Sequence, residues 1–181
     1  MSKSSIREEA LNLARTVSVD ILEEKKSLHD ILLTCKTLCK KLGISDKNEW
    51  IDLELNGYLG KYKTREELFN NIPSYRRTSW IFYDIYGKKV PLPDDIIELF
   101  GKSAIPHSIS EIESNEYLTI SSPLLDKFNE FIAEHGTDYA SKNLRIHVAH
   151  IPSNEIQKVI DGVKKRIHEF LDNLILILEH N

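Results

Sequence analysis

The chain has 181 residues, enough for one full hydrophobic core and short for two, so a single domain over residues 1–181 is expected. An apolar share of 41% and a charged share of 29% are those of an ordinary folded globule, which excludes an intrinsically disordered chain. Against 28 Asp+Glu stand 24 Lys+Arg, a net charge of -4, so nothing draws the whole molecule to phosphate backbones or anionic lipid, and neither nucleic acid nor membrane is expected as a partner.

Residues 5–24 carry Ile6, Ala10, Leu13, Ala14, Val17 and Ile21 at helical spacing, with the β-branched cluster at 16–19 as a possible break. Before it, "MSKSSIREEA" lacks the apolar core of a signal peptide, and no window of about 18 apolar residues occurs, so a cytoplasmic location is expected. Ser27 is placed to cap a second helix whose stripe of Leu28, Ile31, Leu32, Cys35, Leu38, Cys39 and Leu42 ends at Gly43. Cys35 and Cys39 lie on one side of that helix and are expected as reduced core thiols.

Asp46 and Glu49 have capping-box spacing for a third helix, "EWIDLELN", with Trp50, Ile51, Leu55 and Tyr58 near its inner face and Asn56-Gly57 as its stop. Thr64 and Glu67 repeat the capping pattern for a short helix. The β-branched and aromatic run at 77–86 leads into Gly87-Lys88, which predicts a hairpin whose second arm is cut short by Pro91 and Pro93. Two short helical turns follow, at 94–100 and at 108–113, the second with Ser108 and Glu111 at capping-box spacing.

"EYLTIS" reads as a strand, and Ser122-Pro123 opens a helix through Leu124, Phe128, Phe131 and Ile132 that ends at Gly136. "NLRIHVAHI" alternates, predicting a strand with Leu144, Ile146 and Val148 on one face. From Ser153 a long helix runs to the C-terminus, with Ile156, Ile160, Val163, Ile167, Phe170, Leu174 and Ile177 in a heptad pattern. The expected fold is α+β, mostly α-helical, with a small antiparallel β-sheet inserted between N-terminal helices and a long C-terminal helix.

Four stretches carry a resemblance: "EWIDLELNGY", "IPSYR" at 72–76, "HSISEIE" at 107–113 and "HIPSNEIQKVIDGVKKRI" at 150–167. Together and in this order the chain resembles the AbiTii domain, a bacterial domain of abortive infection, and the similarity covers nearly its whole length. The resemblance implies a role in anti-phage defence next to an effector domain or protein, and supplies no catalytic residues. Relatives show a basic pair after the leucines of the second helix, where this chain reads "SLHDILLTCK", so no role for such a pair carries over.

Asp52 and Glu54 stand about 200° apart on a helix and cannot converge as a general acid and base. Glu54 is instead expected to pair with Arg76 as a structural clamp, since their two motifs recur together in the family. No metal and no cofactor are expected: His147 and His150 point to opposite faces of a strand, His29, Cys35 and Cys39 lack zinc spacing, and the glycines form no phosphate loop. Arg145 and His150 match the spacing of the ribonuclease motif in HEPN-type toxins, but strand geometry would set them on opposite faces, so this is the alternative reading.

The leading expectation is a non-catalytic interaction and oligomerisation module. The "LILIL" end of the last helix is apolar on nearly every side, so Phe170, Leu171, Leu174, Ile175, Ile177 and Leu178 are the expected self-association residues of a homo-oligomer.

Overall fold

A computed structural model describes residues 3–44, 48–92, 103–115, 118–119, 122–135 and 144–180. Among these the helices are α1 (Lys3–Leu22), α2 (Leu28–Leu42), α3 (Glu49–Asn56), α4 (Arg65–Asn71), α5 (Ile109–Glu113), α6 (Ser122–His135) and α7 (Ser153–His180), with a 3-10 turn at Ser74–Arg76. The strands are β1 (Arg77–Thr78), β2 (Ile81–Tyr83), β3 (Ser103–Ala104), β4 (Leu118–Thr119) and β5 (Val148–Ile151). The class is α+β as expected, with the strands divided between two small antiparallel sheets. The chain folds as two compact units, one of Met1–Lys61, Pro106–Ser114 and Val159–Asn181, the other of Tyr62–Ile105 and Asn115–Lys158.

The first unit is helical. Ala10, Ala14, Val17 and Ile21 form the buried stripe of α1, which packs on α2. The β-branched cluster does not break α1: the hydroxyls of Thr16 and Ser18 donate to the carbonyls of Asn12 and Ala14 four residues back, at 2.9 and 3.1 Å, and the helix continues. Helix α2 keeps its predicted limits, with the Ser27 hydroxyl accepting from Asp30 N–H and Gly43 closing it in the left-handed conformation at φ 68°. For α3 the N-cap position is Asn48, and the capping box expected at Asp46 lies outside the described residues.

Helix α7 buries Ile156, Val159, Val163, Ile167, Leu171, Leu174 and Leu178. This corrects the predicted heptad in three places. Val159, Leu171 and Leu178 are inside, while Ile160 and Phe170 are half-buried and Ile177 is 56% exposed. Steps of three and four that favour four keep a straight helix facing its neighbours, whereas a strict 3.5 repeat would require supercoiling. Within this unit Phe170 meets Trp50 edge-on at 6.0 Å, and the Arg166 guanidinium lies 4.5 Å from the centre of the same indole ring. At the C-terminal end of α7, Arg7 Nε donates to the Leu178 carbonyl at 2.8 Å, satisfying one of the helix's orphan acceptors.

The second unit holds both sheets. β1 and β3 pair antiparallel with Arg77 opposite Ala104 and Thr78 opposite Ser103. β5 is the centre of the other sheet, with β2 on one side and β4 on the other. α6 covers this sheet: Leu125, Phe128 and Ile132 join Phe82, Leu92, Ile146 and Ala149 in one core, where Phe82 and Phe128 stack at 5.3 Å. The hairpin turn forms at 84–88, with Gly87 at φ 73°, and its second arm shortens to a single bridge between Tyr83 and Lys89. The helical turn predicted at 94–100 and the Gly136 stop lie outside the described residues.

The predicted face of the 144–151 segment is corrected. Ile146 is buried, but Ala149 and Ile151 are the inward residues of β5, and Val148 is 40% exposed. Residues 144–147 are not strand. There the Asn129 side chain acts as a pairing partner, its Nδ2 donating to Ile146 O at 2.8 Å and its Oδ1 accepting from Ile146 N at 2.7 Å. A bend at His147 resets the alternation before β5 begins.

Candidate functional site

The two acids of α3 diverge, as their spacing requires. Asp52 pairs with Lys36 of α2 at 2.5 Å, while Glu54 is fully buried and accepts from the Tyr58 hydroxyl at 2.7 Å. Tyr58 lies beyond the end of α3, so this contact is set by the turn at Gly57 and not by helical spacing. Between them, Gly57 takes φ 81° and ψ 172°, and Tyr58 N–H then donates to Pro106 O at 2.7 Å.

Among the described residues Arg76 is the other fully buried charge and heads the large fully buried side chains. Its guanidinium donates to Ile105 O at 2.8 Å, and its own carbonyl accepts from Ile105 N–H at 2.9 Å. Ile105 is thus held by both its backbone groups, in line with the β1–β3 ladder. Glu54 belongs to the helical unit and Arg76 to the sheet unit, and each has a polar partner inside its own unit.

One positioning residue has no signal in the sequence. The carboxylate of Glu113, at the end of α5, accepts from the N–H groups of Leu28 and His29 at 2.6 and 3.2 Å, closing the start of α2. The α2 thiols are free and buried. Loss of hydration pushes Cys35 up to about 12 and Cys39 up to about 11. At pH 8 both should therefore react with a disulfide reagent at least roughly tenfold more slowly in the folded protein than in urea. Fast labelling of the native protein, followed by absorbance of the released thiolate, would contradict that burial.

The expected self-association residues separate. Leu171, Leu174 and Leu178 are 0%, 4% and 9% exposed and fill the chain's own core. Phe170 and Ile175 are half-buried. Ile177 is on the surface, next to Leu176, which is 57% exposed.

Arg145 and His150 have different described surroundings. Arg145 is exposed before β5 and lines an open cleft with Lys88, Lys89 and His147, whereas His150 is not among the residues described around it. His150 sits on the sheet's outer face, stacked on Tyr83 at 5.0 Å with 14° between ring planes. Tyr83 pairs with Val148, so the stack is a diagonal cross-strand contact. Among the described residues no three His, Cys, Asp or Glu side chains cluster as a metal site would require, and no helix is long and apolar enough to cross a membrane.

The chain is thus a mostly helical α+β fold with buried, hydrogen-bonded charges on Glu54 and Arg76 and an exposed apolar pair near the end of α7. Its sequence matches the AbiTii family over residues 12–175, so the chain belongs to the AbiTii family, which places it in abortive-infection defence. The match takes in segments of both units. No curated protein matches it, and no solved structure does.

Proposed function

We propose that this chain is a non-catalytic interaction and oligomerisation module of an abortive-infection system, one that regulates or scaffolds an associated effector. The observation that carries this reading is the exposed apolar pair Leu176 and Ile177 near the end of α7. Leu176 lies two residues beyond buried Leu174 and so faces away from the core stripe, and Ile177 flanks it. Adjacent apolar side chains more than half exposed in water are stabilised when a second surface covers them. Divergent acids on α3, each with its own partner, support a structural use of those charges.

Sedimentation velocity tests the reading. The wild type should show concentration-dependent association, and the double substitution Leu176→Asp with Ile177→Asp should weaken it by roughly a hundredfold, since each apolar contact is exchanged for a buried charge. Far-UV circular dichroism should be unchanged, because neither residue is in the core. A wild type that stays monomeric at millimolar concentration overturns the proposal, as does RNA cleavage that His150→Ala abolishes.

A further inference from the structure

The cleft that Arg145 lines combines cationic and apolar side chains. It is an open cleft of about 540 Å³ within the sheet unit, a volume in the range of small-molecule sites. Lys88 and Lys89 from the hairpin line it together with Arg145 and His147 from the segment before β5. Among the described residues the one acid in the lining is Asp84, whose Oδ1 is engaged by the hairpin itself, accepting from Tyr86 and Lys88 N–H at 2.9 Å each. Among the described residues no carboxylate forms an ion pair with Lys88, Lys89 or Arg145. A chain of net charge -4 has thus gathered three permanent cations around one cleft, none of them in an ion pair among the described residues.

Both walls are fixed before any ligand arrives. On the hairpin side, Asp84 N–H donates to Lys88 O at 3.0 Å and Gly87 N–H to Asp84 O at 3.1 Å. On the other, Asn129 holds both backbone groups of Ile146, and His147 N–H donates to Tyr83 O at 2.8 Å. Arg145 and His147 flank the anchored Ile146, so their backbone positions are set. Fixing a binding surface in advance lowers the ordering cost of association.

The rest of the lining is apolar: Ile85, Val90, Pro91 and Leu144, with Ile85 71% exposed. Cations alone would suit any anion. Cations sharing a cleft with apolar side chains suit a compact molecule with a phosphate chain at one end and a flat heterocycle at the other. We propose that this cleft binds a nucleotide carrying two or more phosphates, with Lys88, Lys89 and Arg145 on the phosphates and the base against Val90 and Leu144. A long nucleic acid is disfavoured, because the overall negative charge repels an extended polyanion while a compact one meets only the local field.

Isothermal titration of the full chain with ATP, tripolyphosphate, adenosine and a single-stranded RNA 12-mer tests the site. ATP should bind most tightly, tripolyphosphate several-fold more weakly, and adenosine not measurably. Arg145→Ala and the double variant Lys88→Ala with Lys89→Ala should each weaken ATP binding roughly tenfold or more. These side chains are exposed, so the melting temperature without ligand should stay unchanged and serve as the folding control. The proposal is overturned if ATP shows no saturable binding at millimolar concentration, if the variants bind ATP as the wild type does, if tripolyphosphate equals ATP, or if the RNA binds more tightly than ATP. The cleft lies in the sheet unit and the Leu176–Ile177 pair in the helical unit, so failure here leaves the assembly reading untouched.

Discussion

Gly57→Ala should destabilise the helical unit by about 3 kcal/mol or more, combining backbone strain with a steric clash. At φ 81° and ψ 172° the residue occupies a region of backbone space that glycine alone adopts readily. A Cβ placed there would lie 2.8 Å from Pro106 O and 3.0 Å from Ser108 N, both backbone atoms that cannot swing aside. Relieving the clash would mean moving the turn away from Pro106 O, the acceptor of the Tyr58 N–H bond, and with it the buried Tyr58 that donates to Glu54. Gly43→Ala is the matched control. It too has positive φ, but its Cβ would meet nothing within 4 Å, so its cost should be close to about 1 kcal/mol, the conformational part alone. Urea unfolding followed at 222 nm should separate the two variants clearly. Equal midpoints would show that the close approach at Pro106 carries no energy.

The elements easiest to read from the sequence were those whose ends are set by their own residues. Ser27 and Gly43 bound α2 because a hydroxyl cap and a left-handed glycine satisfy local backbone groups, and Ser108 with Glu111 forms both halves of the capping box on α5. At Thr64 only half of that motif forms as predicted: its hydroxyl accepts from Glu67 N–H, but the Glu67 carboxylate reaches one residue further back, to Lys63 N–H.

What the sequence hid depends on tertiary neighbours. Along α7 the apolar residues come in adjacent pairs, Val159-Ile160, Phe170-Leu171 and Ile177-Leu178, and either member could continue the stripe. Packing chose the partner that the heptad count rejected in all three pairs. The face of β5 was misassigned for a similar reason, since counting inward residues from Leu144 assumes an unbroken strand, while Asn129 replaces a strand partner at Ile146. The cleft lining comes from residues more than fifty positions apart, Lys88 and Arg145, each of which reads locally as an ordinary solvated cation. Glu54 and Arg76 could be singled out only through the family motifs, because no periodicity marks a buried charge.

Arg76→Met should cost the sheet unit roughly 2–4 kcal/mol, although methionine fills much of the same space. Replacing a buried charge by an apolar side chain can be harmless when every partner leaves with it. Here a partner stays, because Ile105 O keeps its place through the neighbouring ladder pairs, Arg77 with Ala104 and Thr78 with Ser103, and loses its donor. A buried carbonyl without a donor forfeits its hydration with no return, and the charged hydrogen bond that Arg76 made is lost as well. Arg76→Lys separates charge from geometry. An ammonium can supply one donor but not the planar fork, so its loss should be about half that of methionine. Hydrogen exchange at the Ile105 amide gives a local reading, since its bond to Arg76 O should open more often in both variants, and most in Arg76→Met. Wild-type protection at Ile105 in Arg76→Met, together with an unchanged unfolding midpoint, would mean that the guanidinium is not what holds this edge of the sheet unit together.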